Sequence, residues 1–212
     1  MGERSSSGAY ACVQLAIVLA VLVWSGIRPH DRFTWFLEVA PVLIGLPIVL
    51  ATYGRFPLTP LLATLLTIHA VILMVGGKYT YAQVPAGFWV QEWLGLARNH
   101  YDRLGHFAQG FVPAILAREI LWRRSPLRGS RWLGFVVVSI CLAFSAFYEL
   151  IEWWTAMASG EAAEAFLGTQ GDPWDTQWDM FLALVGAISS VALLHRLHDR
   201  QLAGRRSLAR GA

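Results

Sequence analysis

Three pairs of ionisable residues occur at helical spacing inside apolar stretches of this chain. The pairs are Asp102 with His106, Glu149 with Glu152, and Asp175 with Asp179. Residues three or four apart lie on one face of a helix, so each pair presents two polar groups to the same side. Carboxylate and imidazole groups bind divalent metals and act as acids and bases in catalysis. The spacing therefore predicts a site in which all six residues are candidate metal ligands, and Glu149, His106 and Asp179 are candidate catalytic groups.

The composition makes these residues unusual. Of the 212 residues, 56% are hydrophobic and 15% are charged, which is typical of a polytopic membrane protein and not of a soluble domain. An ionisable residue inside a membrane span costs roughly 2.5 to 3.5 kcal/mol at the bilayer centre, so each one needs a partner or a function. The basic pI of about 9.1 comes from arginines beside the apolar runs, so we expect membrane lipid and no nucleic acid as a partner.

Six apolar runs predict an all-α membrane bundle, with residues 1–212 forming a single integral-membrane domain. The predicted spans are residues 9–27, 33–53, 58–75, 101–122, 132–155 and 174–194. Each run is close to the length of about 20 residues that crosses a bilayer, and the first is too long for a signal-peptide core. Residues 88–98, with Trp89 and Trp93 on one face, predict an additional amphipathic helix on the outer membrane surface.

The distribution of charge predicts the orientation. The loop after the fourth span and the C-terminal tail hold most of the arginines: Arg118, Arg123, Arg124, Arg128, Arg131, Arg196, Arg200, Arg205, Arg206 and Arg210. Arginine-rich segments remain in the cytoplasm, and with six spans the N-terminus lies there too. The loop after the fifth span contains Glu161, Glu164 and Asp172 but no arginine or lysine, so we expect it outside. This orientation places the three pairs of ionisable residues near the outer leaflet.

Helix capping explains some of these acids and not others. Asn99 is the expected N-cap of the fourth span with Asp102 at the third position, and Asp172 before Pro173 is the expected N-cap of the sixth. Glu149 and Glu152 lie at the C-terminal end of their helix, where the helix dipole disfavours anions. Capping therefore cannot account for the two glutamates.

Helix depth connects the residues that capping leaves unexplained. His106, Glu149 and Asp179 each fall five to seven residues from the outer end of their span, which places them in one layer roughly 8 to 10 Å below the membrane boundary. Glu38 falls at a similar depth and His69 slightly deeper. Lys78, the only lysine in the chain, is expected at the outer rim, at the end of the third span.

Four stretches around these residues resemble the signature blocks of a known family. They are Gly77-Lys78-Tyr79-Thr80-Tyr81-Ala82, Asn99-His100-Tyr101-Asp102-Arg103-Leu104-Gly105-His106, Phe147-Tyr148-Glu149-Leu150-Ile151-Glu152-Trp153 and Phe166-Leu167-Gly168-Thr169-Gln170-Gly171-Asp172-Pro173-Trp174-Asp175. They are similar to the YjdF-like family of bacterial inner-membrane proteins, and the resemblance covers most of the chain. It implies an inner-membrane location without implying a reaction. The order of the acidic and histidine residues is also loosely similar to VanZ-like membrane proteins.

The leading functional hypothesis is a divalent-metal-dependent enzyme that acts on a lipid or a lipid-linked envelope substrate. A mixed histidine and carboxylate shell suits zinc, manganese or iron, whereas a subset of carboxylates alone suits magnesium. The alternatives are a proton- or cation-coupled transporter and a non-catalytic assembly protein. Against transport, the inner half of the helices looks almost free of ionisable groups, and no inverted repeat is evident.

The arginine distribution generates a topology prediction. Reporter fusions at Ser125 and at Ala163 should score inside and outside the cell respectively, because the arginine-rich loop is retained in the cytoplasm. Paired alkaline phosphatase and fluorescent-protein fusions at both positions measure this. The opposite scores would place the pairs of ionisable residues in the cytoplasmic leaflet.

Overall fold

A computed structural model describes residues 2–159, 166 and 169–210 of the chain. Within those residues all regular secondary structure is helical, which confirms the predicted all-α class. The helices are α1 (Gly2–Gly26), α2 (Arg32–Thr52), α3 (Pro60–Tyr79), α4 (Pro85–Leu94), α5 (Tyr101–Arg124), α6 (Trp132–Ser159) and α7 (Asp175–Arg210), with a 3-10 turn at Tyr81–Gln83. Glu161 and Glu164, which indicated an outer loop, and Leu167 and Gly168 of the last signature stretch lie outside the described residues.

Five of the described helices are long and apolar enough to cross a membrane, namely α1, α2, α3, α6 and α7. The remaining predicted span, the fourth, corresponds to α5, which packs against α7, α6 and α3 and carries charged residues into the bundle. Several helices extend beyond the predicted membrane spans. α3 continues to Tyr79 and α6 to Ser159, and α7 extends to Arg210 instead of residue 194. Hydropathy identifies only the apolar part of a helix, whereas backbone hydrogen bonds continue α7 through polar residues.

The helices alternate in direction, so the bundle has two ends. The aspartate end contains Asp31, Asp102 and Asp175, at or just before the starts of α2, α5 and α7. The arginine end contains the end of α5, from Arg118 onward, and the loop that follows it to Arg131. Asp31 caps α2 by accepting a hydrogen bond from Thr34 N at 2.7 Å, and this bond lowers the pKa of the carboxyl group. Acidic groups at helix starts are favoured by the helix dipole.

Lys78 joins α1 to α3 at the aspartate end. Its Nζ donates to the Trp24 carbonyl oxygen at 3.3 Å and to the Ile27 carbonyl oxygen at 2.8 Å, and it lies 4.8 Å from the Trp24 ring centroid. The last carbonyl groups of a helix lack partners within the helix, so a cation there satisfies them. Lys78 therefore caps the end of α1.

The surface helix is α4, and its predicted bounds of 88–98 were wrong. It begins at Pro85 and ends at Leu94, because Gly95 adopts a left-handed φ of 65° that terminates the helix. Trp89 and Trp93 do share one face, and they are 72% and 83% exposed. The helix thus presents two large aromatic rings to its surroundings, as an anchor at a membrane interface does.

The closest helix contact in the bundle joins α5 to α7. A Cβ atom at Gly110 would collide with the Ala183 carbonyl group, and one at Gly186 would collide with the Phe107 carbonyl group. Only glycine at these positions allows the two backbones to approach so closely. Because α5 and α7 both begin at the aspartate end, their equivalent turns lie side by side along the whole interface.

A buried polar network crosses this interface at the arginine end. Glu119 of α5 and His198 of α7 are both 0% exposed, and His198 Nε2 lies 3.0 Å from Glu119 Oε2. Glu119 also accepts hydrogen bonds from Thr59 Oγ1 at 2.7 Å and from Arg123 Nη1 at 2.8 Å. The prediction that this half of the bundle is almost free of ionisable groups was therefore wrong. The two residues are far apart in the chain, so no local pattern connects them.

The network also determines the tautomer of His198. Arg118 Nη1 lies 3.0 Å from His198 Nδ1, and a guanidinium group can only donate. His198 Nδ1 is therefore the acceptor, and its Nε2 donates to Glu119. Arg118 Nη2 makes a further hydrogen bond of 2.7 Å to Asp199 Oδ1. The chain of contacts satisfies each buried polar group and holds α3, α5 and α7 together.

We expect Glu119→Ala to lower the stability of the bundle by about 3 to 5 kcal/mol, because the substitution leaves buried donors of His198 and Thr59 without an acceptor. Thermal unfolding of the purified protein in detergent measures the effect. The matched control is Glu92→Ala on the exposed face of α4, where a change within about 0.5 kcal/mol is expected. Equal unfolding midpoints for the two variants would contradict a stabilising role for the network.

Candidate metal site

The structure brings five of the six predicted site residues together at the aspartate end. Asp102, His106 and Asp179 each offer one ligand atom to a group whose atoms all lie within 4.8 Å of one another. His106, Glu149 and Glu152 form a second group within the same limit. His106 belongs to both, so its ring lies between two sets of carboxylates.

The α5–α7 contact explains why these residues meet. His106 and Asp179 each lie one helical turn before the Gly110 and Ala183 pair that forms the tightest contact. Residues four apart share a face, so the same faces that touch at Gly110 hold His106 opposite Asp179. α6 runs in the opposite direction and brings Glu149 to this level. Glycine packing one turn deeper therefore positions the site.

The hydrogen bonds of His106 define the role of each ring nitrogen. Nδ1 lies 2.9 Å from Gln109 Oε1, and an amide oxygen can only accept, so Nδ1 carries a proton. The other nitrogen, Nε2, lies 3.4 Å from Asp102 Oδ1 and 3.9 Å from Asp179 Oδ1. In the neutral ring, the Nε2 lone pair and two carboxylate oxygens thus converge on one point.

The site carries an excess of negative charge. Five carboxylates lie close enough to His106 to interact with it: Glu38, Asp102, Glu149, Glu152 and Asp179. Within the described part of the chain, His106 is the only ion-pair partner of any of them. Buried oxygen atoms of Glu149 and Asp179 have no hydrogen-bond partner. Carboxylates held together in this way need a cation or protons to compensate them.

Asp175, the sixth predicted ligand, is held elsewhere. Its Oδ1 accepts from Arg98 Nη2 at 2.7 Å, and the same nitrogen lies 3.0 Å from Asp172 Oδ2. Arg103 Nη2 bonds to Asp172 at 2.8 Å. These ion pairs join the loop before α5 to the turn before α7. The two arginines are therefore engaged at the rim and do not neutralise the carboxylates around His106.

Two capping predictions were wrong. α7 begins at Asp175 and not after Asp172, which instead accepts from Trp174 N at 3.0 Å within the preceding turn. The N-cap of α5 is His100, and Asn99 bridges from Val84 O to Tyr101 N. Asn99 binds Val84, and Asp172 binds Arg98 and Arg103. These partners are distant in the sequence, so local sequence does not reveal them.

His100 and Tyr81 flank the site at its rim. Burial lowers the pKa of the His100 ring, and the nearby Arg103 and Arg98 lower it further; His100 is therefore neutral at pH 7 and adds no positive charge. Burial raises the pKa of the Tyr81 phenol well above its usual value, with the Glu38 carboxylate adding to the shift. Tyr81 thus remains a protonated donor beside the acidic cluster.

Sequence reasoning did not identify Tyr81 as a site residue. Its ring occupies space between Gly76 of α3 and Gly105 of α5, where an added Cβ atom would collide with it. The backbone reaches this position through a left-handed residue, Thr80, whose φ is 57°. The signal in the sequence is the pair of helical glycines, but nothing local indicates which ring they accommodate.

Comparison of the chain with known proteins finds membrane proteins. A family described as "Predicted membrane protein (DUF2238)" matches residues 10–200. The protein named "Inner membrane protein YjdF" from Escherichia coli (strain K12) is 60% identical over 182 residues, which cover 86% of this chain and 87% of that protein. No solved structure matches the chain.

Proposed function

Because the chain belongs to the DUF2238 family of predicted membrane proteins, we propose that it is an inner-membrane protein that binds a divalent metal ion through Asp102, His106 and Asp179. The observation that carries the proposal is the convergence of His106 Nε2 with the two aspartate oxygens at 3.4 and 3.9 Å. A lone pair and two carboxylate oxygens repel one another, so their convergence requires a metal ion or a proton between them. We further propose that the metal serves a reaction on a membrane lipid or lipid-linked substrate.

The spacing of the ligand atoms supports a metal. Two atoms that each lie 2.0 to 2.2 Å from one tetrahedral zinc ion are separated by roughly 3.3 to 3.6 Å. The two measured separations from His106 Nε2, 3.4 and 3.9 Å, are close to that range. Protonation of His106 alone is a weaker explanation, because one imidazolium compensates one of the five carboxylates whereas a divalent ion compensates two.

The donor set favours particular ions. One imidazole nitrogen with two carboxylate oxygens suits zinc, manganese or iron better than magnesium, which prefers oxygen ligands and retained waters. Gln109 supports this assignment because it holds the Nδ1 proton of His106 and orients Nε2 toward the aspartates. Such outer partners of a ligating histidine fix both its tautomer and its orientation.

The glutamates of α6 provide the general base of the proposed reaction. A divalent ion held by Asp102, His106 and Asp179 would supply Lewis-acid chemistry toward an ester or phosphoryl oxygen. Glu149 Oε1 lies 3.9 Å from His106 Nδ1, on the other side of the ring, and has no hydrogen-bond partner. We propose that Glu149 accepts a proton as a general base, with Glu152 beside it. Exposed Trp154 and Trp178 at this end suit a substrate that approaches from the membrane.

Ion-coupled transport is the second candidate, because Glu119 and His198 form a buried ionisable pair at the opposite end of the bundle. Two features weigh against it. His106 and Glu119 are 13 positions apart in α5, which corresponds to roughly 20 Å, and the core between them is an apolar cluster that includes Ala114, Cys141 and Ala187. Glu119 and His198 also have full sets of partners, unlike the carboxylates around His106.

Removing the metal should loosen the bundle, because the ligands then repel one another. We expect the thermal unfolding midpoint in detergent to fall with a chelator and to recover with one particular divalent ion. Saturating metal at a hundredfold over its dissociation constant adds about 2.7 kcal/mol of apparent stability. His106→Ala should abolish this response, and elemental analysis of the purified variant should show the loss of the ion.

The matched control is His30→Ala, an exposed histidine at the same end of the bundle, which should retain the metal response of the parent. Asp179→Asn tests whether the direction of the midpoint shift depends on the metal. It should raise the midpoint measured in chelator, since one repelling charge is removed, and lower the midpoint measured with metal. A midpoint that ignores the chelator and rises as the pH is lowered would show that protons compensate the carboxylates.

The catalytic part of the proposal predicts a change in lipid composition. Membranes from cells that overproduce the protein should contain a lipid species that is absent when Glu149→Gln is overproduced, because glutamine cannot accept the proton. Mass spectrometry of total lipid extracts measures this, with the exposed Glu92→Gln as the control. Identical lipid profiles with a fully loaded metal site would mean that the metal is structural.

A further inference from the structure

A cleft of about 480 Å³ opens at the arginine end of the bundle. The residues that line it come from α5, the following loop, α6 and α7: Arg118, Trp122, Arg128, Gly129, Ser130, Leu133, Asp199 and Ala203. Its volume falls within the range of small-molecule sites, roughly 300 to 1,000 Å³. The cleft lies at the opposite end of the bundle from His106, so the proposed metal site does not use it.

The charged groups of the cleft favour a monoanion. Arg118 and Arg128 contribute two positive charges and Asp199 contributes one negative charge, which leaves one positive charge in excess. Arg118 is buried at 7% exposure, and its bonds to His198 and Asp199 hold the guanidinium group in a fixed position. Each of its two terminal nitrogens carries a second hydrogen that these bonds do not use, so the guanidinium group can still donate to phosphate oxygens.

Arg128 completes the polar wall of the cleft. Its guanidinium carbon lies 4.1 Å from the centroid of the Trp122 ring, so stacking on the indole orients it. Ser130 lies next in the same loop, and its Oγ accepts from Trp132 N at 3.1 Å. The hydroxyl hydrogen of Ser130 is not used in that contact, so it can donate to a ligand oxygen. The cleft thus offers two guanidinium groups and one hydroxyl to an anion.

The remaining lining is apolar, and its position matches a bilayer boundary. Leu133, Trp122 and Ala203 face the same space, where α5 ends at Arg124 and α6 begins at Trp132. Trp132 is 64% exposed, as expected of an aromatic ring at the level of lipid headgroups. A ligand with a phosphate at its head and acyl chains below would satisfy both parts of the cleft.

We propose that this cleft binds the phosphodiester headgroup of an anionic glycerophospholipid from the surrounding membrane. The phosphate lies between Arg118 and Arg128, the Ser130 hydroxyl donates to it, and the acyl chains run along α6 past Leu133. Basic pockets between transmembrane helices are known to select anionic lipids in this way. The bound lipid would connect the loop after α5 to α7.

Native mass spectrometry of the full-length protein tests the proposal. Purified protein in detergent is titrated with dioleoylphosphatidylglycerol, and in a parallel titration with dioleoylphosphatidylcholine, whose headgroup has no net charge. We expect the anionic lipid to bind more tightly. Arg128→Ala should weaken its binding by about tenfold, the effect of losing one charged hydrogen-bonding partner.

The matched control is Arg131→Ala, an exposed arginine in the same loop that does not line the cleft; it should bind the lipid like the parent protein. Arg128 is also exposed, and unchanged circular dichroism of both variants verifies their folding. Equal weakening by the two substitutions would overturn the proposal, because it would indicate general electrostatic attraction. Displacement of the lipid by equimolar inorganic phosphate would also overturn it, since the cleft would then prefer a free anion.

Discussion

The contact between α5 and α7 is the constraint on which the rest of the structure depends. Gly110 and Gly186 allow the two backbones to touch, and the two helices run in the same direction from the aspartate end. One turn from the tightest contact the same interface places His106 opposite Asp179, and at the other end it places Glu119 against His198. A larger residue at either glycine would separate both pairs of polar groups together.

The buried carboxylates at the two ends of this interface differ in their hydrogen-bond partners. At the arginine end, each carboxylate oxygen of Glu119 has donors from Thr59, Arg123 or His198, so the network is complete. At the aspartate end, Glu149 and Asp179 retain oxygen atoms without partners, and the available arginines are engaged at the rim. A satisfied network stabilises a fold, whereas an unsatisfied acidic cluster indicates a ligand. The contrast supports a structural role for the first and a binding role for the second.

Much of the fold could be predicted from the sequence because apolar length is a local property. The starts of α2, α5 and α6 were predicted within one residue. The helices that contain Pro41, Pro47 and Pro113 are continuous. The errors lie where polar residues extend a helix or where a single residue ends it. α7 continues far past its apolar core, and Gly95 stops α4 before Leu96. Hydropathy responds to neither hydrogen bonding nor backbone conformation.

The sequence by itself determined the class of the protein, the residues too costly to bury without a reason, and their common depth, since each follows from composition and helical periodicity. Only the tertiary structure decided which of those residues face one another. It placed Asp175 on Arg98 instead of beside His106, assigned Gln109 to the Nδ1 of that histidine, and revealed the pairing of Glu119 with His198. These pairings depend on which helix faces pack together, and that choice is made by long-range contacts such as Gly110 against Ala183, which no local pattern encodes.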